Sequence, residues 1–182
     1  MGQGDTSKDT AAARLRELTA YFREHPVTGP TEGRTPTRTA KAPLSLATLD
    51  HINASVAEVI DHTRTANPAA GPAPTRADAV YDWARQHTQH ADDTVRQRTE
   101  VIEYRQYLEH AIRAGDWRKV IRPHRCPECR TFGLMWKDEL QAVLCTNTRC
   151  VDRDGFSTTV TLAQLAHQHV TSRKNLRDVS AT

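Results

Sequence analysis

The sequence of 182 residues lacks long hydrophobic runs and contains few large aliphatic side chains. No stretch of about 18 apolar residues occurs, so we predict no membrane-spanning helix. The start, MGQGDTSKDT, has no apolar core, so we also expect no secretory signal and a cytoplasmic location. Leu, Ile, Val and Phe number 32, about 18%, below the roughly 20% typical of fully globular chains. Because the net charge is only +3, we expect a chain that is ordered in parts.

The sequence also lacks the motifs of common catalytic sites. It has no HExxH metalloprotease motif, no glycine-rich phosphate loop and no GxSxG turn. A nucleobase deaminase would need HxE followed by PCxxC, whereas here Pro127 lies inside the cysteine pair. We therefore predict a protein that is not an enzyme and has no evident small-molecule substrate.

Positive charge is concentrated in the last third of the chain. Residues 117–182 carry 11 basic and 6 acidic side chains, while the rest is slightly negative. Five basic residues surround the first cysteine pair, with Glu128 the only acid among them: Arg118, Lys119, Arg122, Arg125 and Arg130. Such a patch can contact nucleic-acid phosphates and release their counterions. The alternative is a solvated surface without a partner.

The first 43 residues are predicted to hold one short helix and a linker. Leu15, Leu18 and Phe22 have helical spacing within residues 11–24, and Asp9 or Thr10 can cap that helix. Residues 26–43 read PVTGPTEGRTPTRTAKAP and contain almost nothing apolar. We expect this linker to be disordered.

Residues 44–116 are predicted to be helical. A helix over residues 46–62 precedes a break at the Pro-rich residues 67–74. Thr75 and Asp78 resemble a capping box, and Gly115 marks the C-terminal stop.

Two arrangements of this helical region remain open. The stretch between the capping box and the stop is either one long helix or two helices that meet near residues 91–93. Its apolar stripe is too small to form a core alone, which favours a helical hairpin with residues 46–62 or a coiled coil with a second copy. A homo-oligomer or a protein partner is therefore a hypothesis for this region.

Four cysteines lie within 25 residues, as CPEC and then CTNTRC after fifteen further residues. CxxC places two sulfurs on a tight turn, and a second pair across a hairpin completes a tetrahedral site for Zn²⁺. We predict a structural zinc held by Cys126, Cys129, Cys145 and Cys150. Four protein ligands leave no open position, so this zinc is not expected to be catalytic.

Other readings of the cysteines are weaker. Two disulfides would need an oxidising compartment, and a redox dithiol would need a thioredoxin-like strand and helix. His124 and His167 are alternative ligands if one cysteine does not bind.

The segment 117–161 is predicted to fold as a small β unit. Residues 131–136, 140–144 and 156–161 form three strands, with turns at 137–139 and 152–155. With CPEC, FGLMW, AVLC and the second cysteine pair, residues 122–161 resemble the zinc-ribbon family. That resemblance implies binding to nucleic acid, contacts within transcription or replication machinery, or a purely structural clip. The wider layout resembles uncharacterised proteins of actinomycetes and their phages.

Residues 162–182 are predicted to form a helix over 162–170 and a basic tail. Thr161 and Gln164 make a capping box, and Leu162 and Leu165 share one face. The segment TLAQLA also resembles the first helix of a helix-turn-helix motif, although residues 169–171 do not match the turn of that motif.

The fold expected from sequence is thus mainly α, with a small C-terminal β zinc ribbon followed by a helix. The first functional hypothesis is a nucleic-acid-binding accessory or regulatory protein of an actinobacterial or phage system. In it the five basic residues contact phosphates, and Trp117 or Trp136 can stack a base. The alternative hypothesis is a structural protein of a virion or its assembly, in which the ribbon is a clip.

Overall fold

The computed structural model describes residues 10–24 and 46–180, which form a helical bundle and a small antiparallel sheet. The helices are α1 (Ala11–Glu24), α2 (Leu46–Ala66), α3 (Val80–Thr88), α4 (Asp93–Arg113), α5 (Trp117–Ile121) and α6 (Leu162–Ser180). The strands are β1 (Leu134–Lys137), β2 (Ala142–Cys145) and β3 (Thr159–Val160). No helix in these described ranges is long and apolar enough to cross a membrane.

The first two helices lie where the sequence predicts them. The Thr10 hydroxyl accepts a hydrogen bond from the Ala13 amide at 3.1 Å and caps α1, whose Leu15 and Leu18 are buried. The linker predicted over residues 26–43 lies outside the described residues, as do Asp9 and the side chain of Phe22. Helix α2 extends four residues beyond the predicted end, up to the expected break.

The helical stretch before Gly115 consists of two helices, which selects one of the two predicted arrangements. The Asp92 carboxylate accepts from the Val95 amide at 2.8 Å and starts α4. The predicted capping box at Thr75 and Asp78 is wrong. Asp78 lies in a 3-10 turn, Ala77–Ala79, and pairs instead with Arg76 and Arg16. These two arginines compete for the carboxylate that a capping box would use.

Helix α4 ends at Arg113, and the predicted stop, Gly115, follows the Ala114 cap with a positive φ of 83°. The Gly115 amide donates to the Ile112 carbonyl, and the Asp116 amide donates to the Ala111 carbonyl. This paired pattern is a Schellman motif, which satisfies carbonyls that a helix end leaves without partners. Asp116 then pairs with Arg14 at 3.0 Å, which joins the start of α5 to α1.

Helix α4 is central and packs against α1, α2, α3, α5 and α6. Its Ile102, Leu108 and Ala111 are buried in a core to which all these neighbours contribute. The predicted two-helix hairpin is therefore part of a larger bundle. The lean stripe of α4 is covered by α1 and α6 of the same chain, and no coiled coil is needed to bury it.

Helix α6 is longer than predicted and continuous. Thr161 and Gln164 form the expected capping box, with the Gln164 amide donating to Thr161 Oγ1 at 3.1 Å and the Thr161 amide to Gln164 Oε1 at 2.8 Å. Helix runs through residues 169–171 without a turn, so the helix-turn-helix reading is wrong. Packing of Leu165 and Val170 against the bundle extends the helix through the predicted basic tail.

The sheet has the order β1-β2-β3, with both neighbouring pairs antiparallel. Leu134 pairs with Cys145, and Val143 pairs with Val160. The strands are shorter than predicted and overlap the predicted segments, but β1 and β2 each extend one residue beyond them, to Lys137 and Cys145. Buried residues alternate along β1 and β2, so one face of the sheet packs into the core and holds Leu134, Trp136 and Val143 there.

Candidate metal centre and neighbouring basic surface

Cys126 and Cys129 lie on a tight turn that precedes β1. The Cys126 amide donates to the Thr131 carbonyl at 2.9 Å, and the Arg130 amide donates to the Cys126 carbonyl at 2.9 Å. Arg130 adopts a left-handed φ of 60° to close the turn. These bonds bring both thiols to the same side of the turn.

The second pair bridges β2 and the chain that leads to β3. Cys145 ends β2, and four residues separate it from Cys150. Asn147 shapes this wider turn, because its carbonyl accepts from the Cys150 amide at 2.8 Å and its side chain accepts from the Arg149 amide at 3.1 Å. The Thr158 amide donates to the Cys150 carbonyl at 3.1 Å and ties the turn to the incoming strand.

The four sulfur atoms form one cluster. All lie within 4.8 Å of one another, with 3.8 Å between Cys126 and Cys150 and 3.6 Å between Cys129 and Cys145. Zn–S bonds of about 2.3 Å in a tetrahedron imply sulfur separations of about 3.8 Å. A disulfide would need about 2.0 Å. The cysteines are thus unbridged thiols in the arrangement of a zinc-binding module.

The thiols of the cluster differ in acidity. Burial raises the pKa of Cys145 to about 12. Hydrogen bonds from the Thr131 side chain and backbone lower the pKa of Cys129 to about 6. Metal ligands must be thiolates, so binding of a metal ion would displace a proton from Cys145, while the lowered pKa of Cys129 favours its thiolate near neutral pH.

The alternative histidine ligands lie elsewhere. His124 Nε2 is 3.1 Å from the Tyr104 hydroxyl, and His167 is exposed on α6. Among the residues that the structure describes, the four cysteines are the one group of three or more His, Cys, Asp or Glu side chains placed to share a metal ion.

The five predicted basic residues are all exposed and differ in their contacts. Lys119 pairs with Asp116 at 2.8 Å, so its charge is partly neutralised. The other four residues are arginines, and none of them forms an ion pair with a carboxylate of the described chain. Arg118 lies over the Trp117 ring and shares a helical face with Arg122, four residues on.

Arg125 stacks on an exposed aromatic ring that the sequence reading missed. Its guanidinium carbon is 4.3 Å from the centre of the Phe132 ring, which is 58% exposed, and its Nη1 donates to the Arg130 carbonyl at 3.2 Å. Phe132 and Arg122 line a shallow cleft of about 300 Å³. The arrangement therefore brings Arg122 and Arg125 together at Phe132, and the Arg130 backbone holds the Arg125 guanidinium in place.

Of the two tryptophans predicted for base stacking, Trp117 is half-buried beneath Arg118, while Trp136 has a structural role. Trp136 is buried, and its indole N–H donates to Asp138 at 2.7 Å.

Regular alternation would bury Phe132 with Leu134 and Trp136, but Gly133, with φ of 126°, interrupts the pleat between them. The glycine that precedes Leu134 is the sequence signal that could have indicated an outward Phe132.

Comparison of the chain with models of protein families, with curated proteins and with solved structures finds no match. The resemblance to actinomycete and phage proteins has no support from these comparisons. The function is therefore argued from the site itself.

Proposed function

We propose that this protein binds nucleic acid through a surface held in place by a structural Zn²⁺. The observation that carries the proposal is Arg125 stacked on the exposed Phe132 ring, with Arg122 lining the same cleft and the exposed Arg130 bonded to Arg125 through its carbonyl. Arg118 extends this surface along α5. We name these five residues the arginine–phenylalanine surface.

The chemistry of this surface suits a polyanion. Each arginine without a carboxylate partner can contact a phosphate and release a condensed counterion. An exposed aromatic ring beside arginines offers a face on which a base stacks. The four thiolates would hold Zn²⁺ with no open coordination position, so the metal would supply folding free energy to the ribbon rather than chemistry.

Binding of zinc-loaded protein to labelled DNA and RNA, measured by fluorescence anisotropy at about 50 to 300 mM salt, tests the proposal. We expect affinity to fall steeply as salt rises. Replacing Arg122 and Arg125 by Gln should weaken binding by about ten- to one-hundredfold at low salt and flatten the salt dependence by about two counterions.

The matched control removes the same charge elsewhere. Arg64 and Arg98 are exposed on α2 and α4, and neither forms an ion pair with the described residues. The double variant Arg64→Gln/Arg98→Gln should bind like the wild type. Equal weakening in both double variants, or no binding of the wild type at low salt, contradicts the proposal.

A second candidate is a structural or interaction protein of an assembly. Its support is the exposed apolar side chains of Leu140, Val151 and Phe156 on the ribbon, at 59%, 49% and 71% exposure. Light scattering after size exclusion, together with the DNA titration, would distinguish the candidates. A defined oligomer that does not bind DNA favours the structural role.

A further inference from the structure

A cleft of the described chain lies between the bundle and the hairpin of β1 and β2. It has a volume of about 530 Å³ and is bordered by α2, α4, the turn after β1 and the start of α6. That volume is within the range of roughly 300–1,000 Å³ for small-molecule sites. The apolar residues along it are Ile112, Trp136 and Leu162.

A chain of buried hydrogen bonds leads from the bundle core to this cleft, and its direction is fixed at one end. The Gln106 Nε2 atom donates to the Ser55 carbonyl at 3.0 Å and to the Glu58 carboxylate at 2.9 Å. Both partners are acceptors, so the amide group has only one orientation, with its oxygen facing Tyr81. The Tyr81 hydroxyl therefore donates to Gln106 Oε1 at 2.8 Å.

The remaining bonds of the chain then have one direction each. Tyr81 has used its only proton, so its oxygen accepts from the N–H at His110 Nε2, 3.0 Å away. The His110 Nδ1 atom is consequently unprotonated and accepts from the N–H at His51 Nε2 at 2.9 Å. The His51 Nδ1 atom is left as an unprotonated acceptor. Burial lowers the pKa of His110 to about 3 and of His51 to about 4, so both rings stay neutral near pH 7.

His51 lines the cleft together with Glu109 and Asp138. Each of these two carboxylates has one oxygen that accepts no hydrogen bond from the described chain. Glu109 uses Oε1 to accept from Arg105, and Asp138 uses Oδ1 to accept from the Trp136 indole. No residue of the described chain donates to the other oxygen of either carboxylate, or to His51 Nδ1. Three residues that line the cleft thus each have an acceptor atom to which no described residue donates.

One donor completes the set. The exposed Arg113 borders the cleft and pairs with no carboxylate in the part of the chain that the structure describes. A ligand that fits must present neighbouring N–H groups to the acceptors, a flat apolar face to the aliphatic and indole side chains, and an anionic group to Arg113.

We propose that this cleft binds a guanine nucleotide. Guanine presents N1–H and the N2 amino group side by side, whereas adenine and cytosine each present one amino group next to an unprotonated ring nitrogen. The 5′-phosphate supplies the anion for Arg113. This site is separate from the arginine–phenylalanine surface and does not depend on the nucleic-acid proposal.

Isothermal titration of the zinc-loaded full-length protein with GMP tests the site against three matched compounds. IMP lacks the N2 amine, AMP changes the donor edge, and guanosine lacks the phosphate. We expect GMP to bind, with affinity reduced about tenfold for IMP and for guanosine and more for AMP. Equal affinity for AMP and GMP, or no heat with millimolar GMP, overturns the proposal.

Variants locate the binding. Arg113→Gln, on the exposed face of α4, should remove the preference for GMP over guanosine, while Arg98→Gln on the same helix should not. Arg122→Gln/Arg125→Gln should bind GMP normally, and loss of GMP binding there would overturn the cleft as the site. Histidine ¹⁵N NMR gives a readout that needs no variant, because GMP should shift the unprotonated Nδ1 signal of His51. An unshifted signal with GMP bound contradicts the proposal.

Discussion

Arg130 holds a backbone conformation that costs an L-residue free energy. Its φ of 60° closes the turn that carries the first cysteine pair, and its carbonyl accepts from Arg125. The left-handed region costs roughly 1–2 kcal/mol for a residue with a Cβ, and glycine avoids most of that cost. The side chain at this position therefore adds charge to the arginine–phenylalanine surface at the expense of local stability.

Replacing Arg130 by Gly should stabilise the zinc-loaded protein by about 1 kcal/mol, because the strain at the turn disappears. The same change should weaken binding to nucleic acid, because one phosphate contact is lost. Urea unfolding and anisotropy measure the two effects. A destabilised variant would show that the arginine side chain stabilises the fold by more than the backbone strain destabilises it.

Gly133 permits a close approach between the start of β1 and the turn after β2. A Cβ atom at this position would lie 2.5 Å from Thr146 Oγ1. That hydroxyl donates to the Gly133 carbonyl at 2.7 Å, and the Thr146 amide donates to it at 2.9 Å. Since Gly133 also has φ of 126°, no other residue fits without displacing Thr146.

Gly133→Ala should lower the free energy of unfolding by about 2 kcal/mol or more, and should weaken zinc binding because Cys145 precedes Thr146. Unfolding curves and competition with a chromophoric chelator provide the measurement. Gly71→Ala is the control, because a Cβ there meets nothing within 4 Å. Similar losses in both variants would contradict the steric argument.

Helix and strand boundaries could be predicted where a local signal decides them. Thr10, Gly115 and the Thr161–Gln164 pair specify termini through bonds within a few residues, and the structure contains all of these bonds. The cysteine cluster is also encoded locally, in two short motifs. The wrong capping-box prediction at Asp78 and the underestimated length of α6 have the same cause, which is a contact with a distant part of the chain. Asp78 pairs with Arg16, and α6 packs against the bundle.

The buried network within the bundle could not be predicted from spacing. Tyr81 on α3 contacts Gln106 and His110 on α4, which lie 25 and 29 residues further along the chain. In the sequence these are isolated polar residues on helices with weak apolar stripes. Only tertiary packing brings them together and leaves every member with a partner.

Tyr81→Phe tests how much this network contributes to the bundle. The ring remains, but Gln106 Oε1 loses its donor and the His110 N–H loses its acceptor inside the core. We expect a loss of about 1–3 kcal/mol in the free energy of unfolding, as is usual for buried groups left without partners. Urea denaturation followed by circular dichroism measures it. An unchanged midpoint would show that water or a rotated histidine replaces the hydroxyl.

At the scale of the whole molecule, removal of zinc should affect the two parts differently. The β unit has only short strands, so Zn²⁺ would supply much of its folding free energy. Chelation should raise amide exchange across residues 122–161 while the amides of α4 remain protected. Hydrogen exchange with mass spectrometry measures both regions at once. Equal loss of protection would mean that the bundle also depends on the metal.

Acid should destabilise the bundle through its neutral histidines. His110 has its pKa lowered to about 3 by burial, by His51 and by nearby arginines, against about 6.5 in the unfolded chain. The unfolded state therefore binds more protons between these values, and stability falls as pH decreases from about 6.5. His110 alone should cost roughly 2 kcal/mol by pH 5. Thermal unfolding from pH 7.5 to 5 measures this effect, with zinc release followed separately, and a flat profile would contradict a neutral buried His110.

The packing of α6 on α4 has a consequence for the order of events on the ribosome. Helix α4 leaves the exit tunnel well before α6, and all four cysteines are synthesised between them. The nascent bundle therefore exposes one side of α4 until α6 has been synthesised. By that time the thiols are available to capture a metal, so zinc loading can come before closure of the bundle. Until α6 packs, that side of α4 is accessible to chaperones and proteases, whether or not the metal has bound.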